Sequence, residues 1–159
     1  MASDVVLEQR IISAVDRAIT KYGAKYEELI PILSLVNREL GYLPSQALEN
    51  LSIKLNTPKS KLFSVASFYE MLSTIPVGKH ILRFCESAPC HVVGGRNVFD
   101  ALLENLDIKP GETTPDGKWT FLTTSCLGLC GVGPVFIIDD DVYGNVTAAQ
   151  VPDILAKYQ

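Results

Sequence analysis

His80-Ile-Leu-Arg-Phe-Cys-Glu-Ser-Ala-Pro-Cys90 reads as a short strand, residues 80–84, that breaks into a loop carrying a C-x4-C pair. Trp119-Thr-Phe-Leu-Thr-Thr-Ser-Cys-Leu-Gly-Leu-Cys130 repeats the arrangement, a strand over 119–123 followed by a C-x3-C pair. Cys85, Cys90, Cys126 and Cys130 are all the cysteines in the chain. Between the two strands, Arg96 to Leu106 places Val98, Leu102, Leu103 and Leu106 at helical spacing. A strand, a helix and a second strand of these lengths form a right-handed crossover with the strands parallel, so both strands end at the same sheet edge. Topology thus predicts that the 35 residues of 91–125 are spanned and that all four sulfurs meet in one crevice, where open α/β sheets hold ligands.

Four thiols in two tight pairs are a metal-ligating pattern. Two sulfurs from each loop suit an iron–sulfur centre, and the same spacing suits structural zinc. A dithiol redox site would favour C-x-x-C, which is absent. Gly94, Gly95, Gly128, Gly131 and Gly133 lie in or beside the pairs, where the lack of a Cβ lets backbone N–H groups approach an anionic centre; turn formation alone would also recruit them.

Working outward, Val135 to Ile138 reads as a third strand, Asp139-Asp140-Asp141 as a turn and Val142-Tyr143 as a short returning strand. Thr147-Ala-Ala-Gln150 is a capping box that opens a last helix running to about Tyr158. Lys109 to Gly117 is a run of turns. Ile75-Pro-Val-Gly78 breaks the period, and upstream of it everything reads as helix. The first helix covers 4–22, with Leu7, Ile11, Val15, Ala18 and Ile19 inward and Gly23 as its stop. The second covers 27–40, with Pro31 near its start and Gly41 at its end. Ser45 is expected to cap a third helix through about Leu55. Thr57-Pro58 should start a fourth that carries Leu62, Val65, Ala66 and Tyr69 to about Met71. The predicted organisation is a helical bundle over 1–77 and an α/β domain over 78–159.

Composition sets outer limits. The 159 residues are 47% hydrophobic and 20% charged with a formal net charge of −4, which argues against a nucleic-acid or anionic-membrane surface. No run approaches the ~18 consecutive apolar residues of a membrane span, and the N-terminus lacks a secretory pattern, so a cytoplasmic chain with reduced cysteines is expected. Single residues have plain readings. His91 caps or lines the cysteine loop, and His80 is a half-buried strand residue. Glu112, Asp116 and Asp139 to Asp141 are solvated turn residues, and Tyr42, Phe68 and Tyr69 pack inward. Gly131 and Gly133 do not complete a dinucleotide fingerprint.

Several motifs in order resemble one family: Gly41-Tyr-Leu-Pro44, Val65-Ala-Ser-Phe-Tyr69, Pro76-Val-Gly-Lys79, Cys85 to Gly95, Gly111 to Gly117, and Cys126-Leu-Gly-Leu-Cys-Gly-Val-Gly-Pro134. They are similar to the 24 kDa [2Fe-2S] subunit of respiratory complex I and its relatives in NAD(P)-linked hydrogenases and formate dehydrogenases. That resemblance implies an α+β chain, an N-terminal helical bundle followed by a thioredoxin-like ferredoxin domain. It implies a [2Fe-2S] cluster with Cys85 and Cys90 on one iron and Cys126 and Cys130 on the other. It also implies a partner flavoprotein carrying FMN and binding NAD(P), with further iron–sulfur, hydrogenase or dehydrogenase subunits beyond. No residue here is expected to be catalytic, and activity would belong to the assembled oxidoreductase. Two rivals follow from the residues alone: a zinc-stabilised scaffold and a free-standing ferredoxin.

Overall fold

The computed structural model describes residues 2–158, and the chain divides into two compact units, Met1–Pro76 and Val77–Gln159. In the first unit, α1 spans Ala2–Tyr22, α2 Leu29–Leu40, α3 Ser45–Lys54 and α4 Lys59–Phe68. Ile11, Ala14, Val15 and Ala18 form the buried face of α1 at spacings of three and four, and they meet Ile32, Leu33 and Val36 of α2 with Leu48, Leu51, Leu62 and Ala66. Leu7, expected inside, is 37% exposed, because the buried stripe begins one turn later. Both stop signals act as glycine caps. Gly23 and Gly41 take the left-handed conformation, and their N–H groups donate to the carbonyls of Ile19 and Asn37, each at 2.8 Å.

Several boundaries differ from expectation for local reasons. A separate 3-10 turn, Tyr26–Glu28, leads into α2, so Pro31 falls in the first α turn, where its missing N–H costs nothing. Pro44, not Ser45, occupies the cap position of α3, and Pro58 does the same for α4; neither cap is completed by a side-chain hydrogen bond. Helix α4 ends at Phe68 because Tyr69 turns extended, with φ −89° and ψ 114°. That early stop leaves Phe68 79% exposed, which corrects the inward reading of this residue. Asn37 then accepts the Ser73 N–H at 3.0 Å, tying the exit segment back to α2.

The second unit is built on a four-stranded sheet in the order β2-β1-β3-β4, with β1 His80–Cys85, β2 Trp119–Thr124, β3 Phe136–Ile138 and β4 Asp141–Tyr143. Strands β1 and β2 are parallel in continuous register from His80 opposite Trp119 to Cys85 opposite Thr124. β3 is antiparallel to β1, and β4 is antiparallel to β3. Between β1 and β2 the chain makes a helical turn α5, Ala88–Cys90, a wider turn His91–Gly95 kinked at Gly94, and α6, Arg96–Leu106. Leu82, Phe84, Phe121, Phe136 and Ile138 of the sheet pack with Val98 and Leu102 of α6 and with Val151 and Ile154 of α7, Val151–Ala156. Each such side chain contributes roughly 1.5–3 kcal/mol through burial. The capping box is present, yet it opens a 3-10 turn, Ala148–Gln150, that leads into α7.

The aspartate run is more than a solvated turn. Asp139 accepts the Ile81 N–H at 2.9 Å, and its other oxygen lies 2.7 Å from His80 Nδ1, fastening the end of β3 to the start of β1. Asp141 accepts the Tyr158 hydroxyl at 2.6 Å. No helix among the described residues is long and apolar enough to cross a membrane.

Candidate metal centre

Cys85 is the last residue of β1 and lies opposite Thr124, the last residue of β2, so parallel pairing brings the two cysteine loops to one edge of the sheet. Two further bonds hold them there. Cys85 N–H donates to the Val135 carbonyl at 3.2 Å, and Glu86 N–H donates to that of Thr124 at 2.9 Å. Cys85 and Cys90 are buried with Val135, with Leu127 and Leu129 packed against them. Cys126 and Cys130 are exposed. The centre is therefore lopsided, one pair facing the core and the other facing out.

All four cysteines are free thiols, and they interact both within and across the pairs. Burial, with the Cys85 thiol alongside, pushes the Cys90 thiol up. Cys126 is pulled down, first by the Gly128 N–H, which donates to its sulfur at 3.3 Å, then by the Ser87 hydroxyl and the thiols of Cys130 and Cys85. Cys130 is pushed up by hydrogen bonding and charge from Cys126. Among the described residues no three or more His, Cys, Asp or Glu side chains converge as they would on one ion. In number and kind, four thiols in two pairs fit a centre with two metal atoms.

The glycines divide by role. Gly94 and Gly128 sit at positive φ, 101° and 78°, so they serve turns. Gly128 alone among the five also donates to a cysteine sulfur. Gly95 is required by space: a Cβ there would lie 2.6 Å from the Cys90 carbonyl oxygen. Sequence reading missed Ser87, whose hydroxyl helps pull the Cys126 thiol down from the other loop. No local pattern marks an influence exerted across 39 positions.

The histidines are not part of the thiol group. His91 follows Cys90 and caps nothing with its side chain. It lines a cavity of about 310 Å³ with Phe84, Cys85, Glu86, Gly95, Arg96 and Phe99. His80 stands at the opposite end of β1, packed against Trp119 and Tyr158 with ring centroids 5.3 and 5.2 Å away.

Relatives of known name cover nearly the whole chain. A subunit of the NADH-quinone oxidoreductase of Salmonella typhimurium is 38% identical over 153 residues, spanning 93% of this chain and 92% of that protein. The HndA subunit of the NADP-reducing hydrogenase of Solidesulfovibrio fructosivorans is 33% identical, spanning 96% and 90%. Among solved structures, an air-oxidised NAD+-reducing [NiFe]-hydrogenase superposes with a TM-score of 0.71 at 25% identity, over 83% of this chain but 23% of that longer one. Residues 15–159 match the model of a single family, so this chain belongs to the thioredoxin-like [2Fe-2S] ferredoxins.

Proposed function

We propose that the chain is the electron-transfer subunit of a multisubunit NAD(P)H-dependent oxidoreductase, with Cys85 and Cys90 holding one iron of a [2Fe-2S] cluster and Cys126 and Cys130 the other. The observation that carries this reading is the meeting of the two cysteine loops beyond the parallel ends of β1 and β2. When bound, such a cluster takes up and releases one electron at a time. The chain's own residues do the rest. Val135, Leu127 and Leu129 keep water from the inner pair, while the Gly128 N–H and the Ser87 hydroxyl offset negative charge on Cys126. Gly131 and Gly133 make no complete dinucleotide fingerprint, so hydride chemistry is assigned to a partner flavoprotein carrying FMN and binding NAD(P). The named relatives serve two acceptors, a quinone in one and NADP in the other, and the thiol geometry is compatible with either complex. A cytoplasmic location fits four reduced thiols.

Anaerobic purification tests the assignment. The protein should be red-brown, contain iron and sulfide in equal amounts, and give a paramagnetic signal after one-electron reduction. Cys90→Ser and Cys126→Ser should each lose most of the iron, and a tagged chain expressed with its native partners should bring down a flavin-containing subunit. A colourless protein holding zinc would overturn the cluster. Wild-type iron and sulfide in both serine variants would overturn the ligands.

A further inference from the structure

The Cys130–Val135 segment is wedged between two neighbours. On its inner side, a Cβ placed on Gly133 would lie 3.1 Å from Cys90 Sγ, 3.3 Å from Val93 Cγ2 and 3.4 Å from Cys90 Cα. All three are inside the ~3.5–4.0 Å of ordinary carbon contact. On its outer side the turn after β4 presses on the same segment: a Cβ on Gly144 would lie 2.9 Å from Val132 Cγ2 and 3.0 Å from the Val132 carbonyl oxygen. That turn is also bonded in place, Asn145 N–H to the Val132 carbonyl at 2.6 Å and Val146 N–H to that of Pro134 at 3.2 Å. Beyond Pro134, the Val135 carbonyl accepts the Cys85 N–H. The segment is thus packed against Cys90 on one side and bonded to the turn after β4 on the other.

Gly133 is not there for its backbone freedom. Its φ of −67° and ψ of 155° are open to any residue, so what crowds a side chain here is the Cys90 sulfur, with Val93 beside it. Gly131, two residues earlier, has nothing within 4 Å of its would-be Cβ. We propose that Gly133 is a positioning residue for the cysteine centre: its bare Cα sets the distance between the Cys90 sulfur and the loop bearing Cys130, and the Gly144–Val146 turn holds that loop against it. This rests on the reading of the four cysteines as cluster ligands. A methyl group at residue 133 pushes Cys90 and Val93, or the Cys130 loop, back by a few tenths of an ångström, and Cys90 and that loop each carry part of the donor set.

The test uses the full chain, purified anaerobically, in the variants Gly133→Ala, Gly144→Ala and Gly131→Ala. Gly133→Ala is expected to release iron to a chelator roughly tenfold faster, in line with changes to residues that support metal ligands. It should also shift the visible circular dichroism, the paramagnetic signal and the midpoint potential. Gly144→Ala, which touches no cysteine, should shift the same spectra in a smaller degree, and Gly131→Ala should match wild type throughout. Should Gly133→Ala fail to fold, the double variant with Val93→Ala removes one of the crowded contacts; folding with altered spectra supports the proposal, and full return to wild-type spectra refutes it. Wild-type spectra and iron release in Gly133→Ala, or equal damage in Gly131→Ala, also overturn it. A wild-type chain that holds no iron and sulfide defeats the cluster reading instead.

Discussion

Tyr158 shows how much a single side chain near the end of the chain can fasten. Its hydroxyl donates to Asp141 at 2.6 Å and meets the Tyr143 hydroxyl at 2.9 Å, while its ring packs on His80 and Trp119. Burial first, then the Asp141 and Tyr143 bonds, push the phenol far above its ordinary range near 10. A raised folded-state value favours the folded protein fully below the unfolded value, and the advantage is lost as pH climbs past it. Stability of the wild type should therefore fall between about pH 9 and pH 11, as the unfolded chain alone gives up its proton. Tyr158→Phe should cost about 1 kcal/mol at neutral pH through the lost hydrogen bonds, and its stability should fall less steeply over that alkaline range. Urea midpoints measured across the range decide it; an unchanged slope would show that Tyr158 ionises no differently in the folded state. None of this was legible in the sequence, because Tyr158 joins partners 15 and 17 positions away through tertiary packing. Asp139, bonded to His80 across 59 positions, escaped for the same reason.

Elements were readable where the hydrophobic period is unambiguous. Arg96–Leu106 has the bounds its spacing predicts, and β1 and β2 each run one residue past expectation, to Cys85 and Thr124. Their parallel pairing follows from the length of the connection, and it is this pairing that brings Cys85 beside the second cysteine loop. In α4 the period picks the inner face correctly, with Leu62 and Ala66 buried and Val65 and Tyr69 packed against the core, and what it does not give is the early stop that leaves Phe68 exposed. Cap chemistry was recognised more surely than the turn it opens, as at Thr147, where the box starts a 3-10 turn before α7. That box makes a separable claim. Thr147→Ala removes the side-chain acceptor and should cost about 1 kcal/mol, read as a lower thermal midpoint. Visible spectra of the loaded protein should not move, since the box lies outside the cysteine loops. A stability equal to wild type would mean that the Gln150 side chain, which accepts the Thr147 N–H at 2.9 Å, suffices alone.

Buried side chains form one large core among the helices of residues 1–76 and another around the sheet of residues 77–159, with a third, small cluster of Cys85, Cys90 and Val135 within those same later residues. All four cysteines lie within residues 77–159, Cys85 and Cys90 buried and Cys126 and Cys130 exposed, and every group that acts on their thiols, from Ser87 and Gly128 to Val135, lies there too. The break in period at 75–78 carries this division in the sequence. The lopsided burial of the two cysteine pairs is not carried there, because both follow strands of similar composition and only the packing of Val135, Leu127 and Leu129 tells them apart. A cavity in the helical core should then weaken the bundle without altering the metal centre. Leu33 is fully buried among the helices, and Leu33→Ala should cost about 3 kcal/mol from lost transfer energy and the space left behind. Far-ultraviolet circular dichroism, dominated by the helices, should report a lower melting temperature. Visible absorbance should keep its spectrum at low temperature and should fade at the wild-type temperature on heating. If the visible and far-ultraviolet transitions fall together by the same amount, the two cores melt as one cooperative structure, and the separation argued from their packing is wrong.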